Sequence, residues 1–275
     1  MKIGILKFEQ FRGQKNLGSS KIRAEWVIKR WDEAEEFVQG QKYDAVIYQK
    51  AYFIDHAKLF KGVKIFDICD PDFLTWGYRT KEMIDLCDAV TTSTEPLAES
   101  IRAFTDKPVV CIPDRVNLEE IKKKKYHKGD AKWVVWFGYS TNFDMVKPVV
   151  HILKRLKLNL MIISDGGFSL GLGNDTIELK NYPFNWQTVY DDIMEGDIVI
   201  NPQGKKGKWK YKSNNKTLLA WSLGMPVAHE LDDLKKFISE EERRKEQVLR
   251  YKELQEKWDV KYSIDEYKKL IDSLK

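Results

Sequence analysis

The acidic hexapeptide Asp67-Ile68-Cys69-Asp70-Pro71-Asp72 places three carboxyl groups within six residues, directly after an apolar run. A carboxylate there can take the proton of an attacking hydroxyl. One that precedes a helix can equally cap it. Asp72 stands where a cap belongs, which leaves Asp70 as the first choice for chemistry and Asp72 as the second. A different chemistry belongs to 201–226, NPQGKKGKWKYKSNNKTLLAWSLGMP. A Gly/Lys loop leads into a helix that opens at Ser213, Asn214 and Asn215 and closes at Gly224. Amides at such a helix start, with Lys212 and Lys216 beside them, form a cradle for a diphosphate. Each lysine acts there as a point charge. The alternative is a capped surface helix with its lysines in water.

Three further stretches offer polar groups at turns. In 8–20, FEQFRGQKNLGSS, the glycines Gly13 and Gly18 allow close backbone approach, and Ser19 and Ser20 open a helix whose start attracts an anion. Gly18, Ser19 and the following Arg23 are therefore candidate phosphate ligands. The stretch is not GxGxxG, which argues against a dinucleotide, and a capped surface loop remains the alternative. Asp114-Arg115 follows a strand, and Arg115 can face a cleft between domains or brace the two domains. In 138–144, GYSTNFD, Gly138 permits a sharp turn, while Ser140, Thr141 and Asn142 suit phosphate oxygens or simple N-capping. The loop KKGKWKYK mixes lysines with Trp209 and Tyr211, a mixture that suits a phosphate backbone and exposed bases. Lys208 and Trp209, with Arg12, are the candidate acceptor contacts.

These residues need elements to hold them. Short apolar runs alternate with longer amphipathic stretches, which predicts βαβ units and parallel sheets. Strands are expected at 2–6, 45–48, 64–68, 89–92 and 109–112, with helices at 20–38, 73–86 and 96–104. The polar segment 117–132, with its run KKKKYHK, reads as a linker or a solvated helix end. A second series follows: strands at 132–137, 159–163, 176–179, 197–201 and 226–228, helices at 142–156, 186–194 and 213–223, then two or three charged helices over 230–275. The fold class is α/β, with two Rossmann-like domains in sequence.

Composition sets limits on function. The 275 residues are 43% hydrophobic and 32% charged with a net charge of +5, which permits a polyanionic partner without requiring one. Cys69, Cys87 and Cys111 lack metal-ligand spacing and read as reduced core thiols. The four histidines are scattered, so no metal site is expected. No apolar run approaches the ~20 residues of a membrane span. The opening MKIGILKFEQFRG carries a charge every few residues and reads as a buried strand rather than a signal peptide, giving a cytoplasmic expectation.

Three stretches, in this order, resemble the GT-B glycosyltransferases, particularly the retaining family-four group. They are CDAVTTSTEPLAESIRAF…KPVVCIPDRVN (87–117), WVVWFGYSTNFDMVKPVVHILKRL (133–156) and YDDIMEGDIVINPQ…KSNNKTLLAWSLGMPV (190–227). The resemblance implies two domains facing a cleft: an acceptor domain over 1–120, a donor domain over 130–255, and a helix over 256–275 packing back on the first. It implies a nucleotide-sugar donor, expected to be a UDP-sugar, and transfer of a hexosyl or pentosyl group with retention. The acceptor is a hydroxyl, either of a hydroxymethylated DNA base or of a glycan. No cofactor is obligatory and no divalent metal is required; Asp70-Pro71-Asp72 has DxD spacing but no donor role by resemblance. Asn215, Lys216 and Gly224 fall in the donor-binding segment, with Ser140–Asn142 near the phosphates. Two departures stand out. Tyr211 and Leu219 replace a pair of glutamates, and Tyr139 replaces an arginine, so the diphosphate charge falls to Lys147, Lys212, Lys216 or Arg115. The alternative function is a non-catalytic nucleotide-sugar or nucleic-acid binding protein.

Overall fold

Strands buried on both faces by crossover helices read as unbroken apolar runs, and the runs IGIL, AVIYQ and AVTT are buried along their whole length. They belong to the first of two units in the computed structural model, which describes every residue except Gln14, Asn16, 172–175, Gln203, Lys205 and Lys206. That unit comprises Met1–Asn117, Lys206–Asn215 and Trp258–Lys275. Its strands are β1 (Ile3–Leu6), β2 (Ala34–Glu36), β3 (Ala45–Gln49), β4 (Val63–Ile68), β5 (Ala89–Thr92) and β6 (Val109–Cys111). They pair in parallel in the order β2-β1-β3-β4-β5-β6. The chain leaves β1 to one side for β2, then crosses to the other side for β3, so the winding reverses between β1 and β3.

The second unit comprises Leu118–Lys205 and Lys216–Lys257. Its strands are β7 (Trp133–Phe137), β8 (Asn159–Ser164), β9 (Leu179–Pro183), β10 (Ile198–Ile200) and β11 (Val227–Ala228), all parallel in the order β11-β10-β7-β8-β9. Here the winding reverses between β7 and β10. The core of this unit gathers Val134, Trp136, Leu160, Ile162 and Ile198 from the sheet and Val150 and Leu153 from helix Lys147–Leu156. Full burial of each such side chain contributes about 1.5–3 kcal/mol.

Several elements differ from the periodicity. The helix expected over 20–38 spans 18–28, with a π-helical stretch Lys21–Glu25 in its middle, and the chain then turns into β2. The backbone of 33–37 is satisfied by β1 instead of by a helix: Ile3 N–H donates to Glu33 (2.9 Å) and Phe37 N–H to Ile5 (3.0 Å). The loop expected over 8–20 contains a short helix, Phe8–Arg12, closed by Gly13 at φ 63°. Helix Ile54–Leu59 between β3 and β4 was not anticipated. The strand expected at 176–179 lies at Leu179–Pro183, where a half-exposed edge removes the apolar signal. Pro148 makes helix 142–156 begin anew at Lys147 after a 3-10 turn.

The lysine run lies in no helix, so it is not a helix end of its own. Lys124 Nζ donates to the Ser222 carbonyl, and Lys125 Nζ donates to the Met194 carbonyl (2.8 Å). Each thereby closes the carboxyl end of a helix, where backbone carbonyls lack partners and the dipole favours a cation. Lys123 pairs with Asp191 (2.7 Å), and the buried His127 ring bonds the Gly224 carbonyl (2.9 Å).

Candidate active site

Open parallel sheets bind ligands outside the carboxyl ends of their strands, where the winding reverses. In the first unit that place is the end of β1 and β3. Gln49 ends β3 and is wholly buried. Its Oε1 accepts from Phe8 N–H (3.0 Å) and the Ser20 hydroxyl (3.2 Å). Its Nε2 has no hydrogen-bond partner among the described residues. Lys50 follows in the left-handed region at φ 50°, a conformation that costs a non-glycine residue about 1–2 kcal/mol. Its amide is held by the Asp67 carbonyl at 2.9 Å. That turn carries the Lys50 ammonium to 2.8 Å from Asp70 Oδ2, 3.6 Å from Asp72 Oδ1 and 4.8 Å from the Phe8 ring centre.

Asp70 thus sits between two cations, since Lys212 Nζ donates to its other oxygen at 3.2 Å. Burial alone would raise its pKa, but Lys50 and Lys212 outweigh it and hold the carboxyl below its ordinary value. Asp72 behaves oppositely. Burial raises its pKa, and neither Lys50 nor the Tyr52 hydroxyl, which donates to it at 2.9 Å, reverses the shift. Neighbouring carboxyls pushed apart in this way divide naturally into a fixed anion and a proton acceptor. The Tyr52 ring lies 5.3 Å from Trp76, and the Arg12 guanidinium lies 5.5 Å from the Trp76 ring centre. Trp76 and Tyr78 are 36% and 81% exposed.

In the second unit the corresponding place is the end of β7 and β10. Gly138 follows β7 at φ 148°, a region that favours glycine. A Cβ on it would overlap the Lys216 ammonium and lie 2.9 Å from Lys216 Cε. That ammonium rests 4.5 Å from the centre of the Trp136 ring. Lys216 and Thr217 belong to helix Asn215–Ser222. The Thr217 hydroxyl accepts from Asn201 Nδ2 (3.1 Å), and the Asn201 carbonyl bonds the His229 ring (2.8 Å), so the residue after β10 joins the helix start to the end of β11.

Other candidates have different surroundings. Arg23, expected as a phosphate ligand, is buried: its Nε donates to Asp67 (2.8 Å) and its Nη1 to Asp114 (2.8 Å) and the Ile112 carbonyl (2.9 Å). Its charge is matched internally, and Tyr267 of helix Val260–Ser273 completes the cluster by donating to Asp67 at 3.1 Å. Arg115 makes a two-pronged pair with Glu266 (2.9 and 2.8 Å), a residue of the same unit, so this contact does not brace one unit on the other. The helix start at Gly18 and Ser19 already has an anion beside it, because the Leu17 amide donates to the Glu9 carboxylate. The Ser140 amide donates to Asp165 (2.6 Å), and Thr141 and Asn142 continue a 3-10 turn behind it. Lys212, expected beside a diphosphate, lies on Asp70, and the Ser213 hydroxyl donates to Asp114 (2.6 Å). Asn214 and Asn215 are half-buried where the helix begins. Lys147 pairs with Asp144 (2.8 Å). Lys208 lies 5.0 Å from the ring centre of Trp209, the two on a 3-10 turn. That turn is anchored by Tyr211, buried beside Ser100 (3.2 Å) and Phe73. Leu219 is core.

Sequence reasoning missed Gln49, Lys50, Tyr52, Trp76 and Trp136. The available signal was position: Gln49 and Lys50 immediately follow an apolar strand. Among the described residues no group of three His, Cys, Asp or Glu side chains is arranged to hold a metal ion. No helix among them is long and apolar enough to cross a membrane.

No protein-family model matches the sequence, and no curated sequence matches it. Solved structures do. The chain is similar to Anabaena Alr3699/HepE in complex with UDP-glucose, at 12% identity and TM-score 0.66, over 99% of this chain and 100% of that one. It is similar to the lipopolysaccharide outer core galactosyltransferase WaaB, at 12% identity and TM-score 0.64, over 99% of both chains. It is also similar to T4 phage BGT in complex with its UDP-glucose substrate, at 13% identity and TM-score 0.60, over 99% and 100%. Two other matched chains are longer, and this chain covers 54% and 57% of them. Two all-parallel α/β units in succession, matched end to end by these glycosyltransferases, give the chain the GT-B fold.

Proposed function

We propose that the protein is a glycosyltransferase that moves a sugar from a UDP-sugar onto a hydroxyl group. The observation that carries this is the Lys216 ammonium held over Gly138, where the winding of the second sheet reverses. A cation and a helix start at such a place suit a diphosphate. Two neighbours of the same fold are solved with UDP-glucose, which supports uridine as the base. In this proposal 130–255 hold the donor, 1–120 present the acceptor, and 256–275 complete the acceptor side.

The step balances without a redox partner. The acceptor oxygen forms a bond to the anomeric carbon, the bond from that carbon to the β-phosphate oxygen breaks, and the acceptor proton passes to Asp72. Lys216 and the amides opening helix Asn215–Ser222 stabilise the departing diphosphate. Asp70 stays ionised between Lys50 and Lys212; burial is the main cause of the raised Asp72 pKa, and the Asp70 charge adds to it. A single displacement assisted by this base inverts the anomeric carbon, whereas the family-four resemblance implies retention; the anomeric proton coupling of the product distinguishes them. The exposed Tyr78, and Trp76 with Arg12 beside it, favour a hydroxymethylated DNA base as acceptor, since aromatic faces stack bases and arginine meets phosphate. Lys208 and Trp209 would extend the same contact. Three free cysteines fit a reducing, cytoplasmic setting.

The test is release of UDP from UDP-glucose alone, with hydroxymethylated duplex DNA, and with a glycan mixture. Release stimulated by the DNA, with added mass on the base, is the expected result. Stimulation by the glycan alone moves the acceptor to sugars. Absence of release with every UDP-, GDP- and ADP-sugar tried would overturn the assignment.

A further inference from the structure

We infer that Trp136 is a positioning residue: its ring, with the missing Cβ of Gly138, fixes where the Lys216 ammonium stands. The inference rests on the proposed donor site and adds to it a residue that acts through the lysine it holds. Three observations support it. Trp136 is buried in β7 at 1% exposure, so its ring is a rigid platform. Phe143 packs on that ring at 5.5 Å and is itself packed by Phe168 at 5.1 Å, which fixes the platform from the 3-10 turn that follows β7. The Lys216 ammonium is 4.5 Å from the ring centre, within the ~6 Å reach of cation–π attraction, for which tryptophan is the strongest partner.

Gly138 explains why the lysine can reach that seat. A Cβ there would overlap the ammonium, forcing it to move, and would also come within 3.3 Å of the Trp136 ring. The ammonium, the glycine backbone and the indole therefore form one packed unit.

The test has two readouts. The first needs no ligand: the ε-methylene protons of Lys216, assigned by NMR in the whole protein, should be shifted upfield by the indole ring current. That shift should persist in part in Trp136→Phe and vanish in Gly138→Ala. The second is the affinity for UDP. Lys216→Met should lower it by about tenfold or more, the usual loss for one charge-assisted contact. Gly138→Ala should lower it similarly, Trp136→Leu should lower it, and Trp136→Phe should recover most of the loss. In the Lys216→Met background, Gly138→Ala and Trp136→Leu should each add less than about twofold, because a positioning residue acts only through what it positions. Gly138→Ala keeps the test decisive if Trp136→Leu does not fold. An unshifted Lys216 methylene, or fully additive losses in the double variants, would overturn the inference. A shifted methylene in a protein that binds no nucleoside diphosphate would leave the positioning intact and sink the donor site instead.

Discussion

Asp70 and Asp72 stand one residue apart and hold protons differently because of what surrounds them. Both are half-buried, but Asp70 has two lysines and Asp72 has mainly a hydroxyl and one more distant lysine. For Asp72→Asn we expect kcat to fall by about 100-fold or more, the usual contribution of a general base, with the donor KM nearly unchanged. A steady-state comparison checks this, and wild-type turnover would remove Asp72 from the chemistry. The pH profile follows from the direction of the shift. Asp72 acts as base only when ionised, and its pKa lies above the ordinary 3.8, so activity should fall as pH drops through that raised value. Asp70→Asn removes a charge that raises it, so the acidic limb should move to lower pH. The cluster was legible because three acidic residues follow an apolar run. Lys50 was not: a lysine after a strand resembles any solvent-facing lysine, and its left-handed turn is held by the carbonyl of Asp67 in the next strand. Arg23 was misread for the same reason, since its partners Asp67 and Asp114 are distant in sequence.

Helix ends and strap segments show what elements ask of single side chains. Lys124 closes helix Asn215–Ser222 from a partly buried position, and burial, then Lys122, lower its pKa to about 8. The sign is opposite to that of a lysine gaining a partner. Between about 8 and the ordinary 10.5 the unfolded chain binds more protons than the folded one, so stability rises with pH across that window. Below it the penalty is constant. The Tm of the wild type relative to Lys124→Met should therefore climb from pH 8 to 10.5; a flat difference would mean that the amine is solvated. Tyr211 anchors 207–215 through its ring and its hydroxyl. Tyr211→Ala should destabilise the first unit by about 3–5 kcal/mol, the range for large aromatic truncations, read as a lower denaturation midpoint. The long strands were legible as apolar runs. The three-residue β2 and the half-exposed β9 were not, because neither is long enough or buried enough to impose a period.

At the scale of the whole chain, the alternation of apolar runs with amphipathic stretches was enough to indicate two parallel α/β sheets. Strand order was not legible, since it depends on which neighbours cover which faces. Nor does local sequence reveal that 207–215 packs with residues around Thr94 and Ser100, more than a hundred positions away. The function rests on a narrower point: whether a nucleoside diphosphate lies where the second sheet reverses its winding, against Gly138 and the start of helix Asn215–Ser222. Hydrogen–deuterium exchange with and without saturating UDP tests this most directly. The account predicts slowed exchange at the amides of 138–139 and 215–218, and loss of that protection in Lys216→Met. Protection confined to other segments, or unchanged exchange at these amides while UDP is bound, would contradict it.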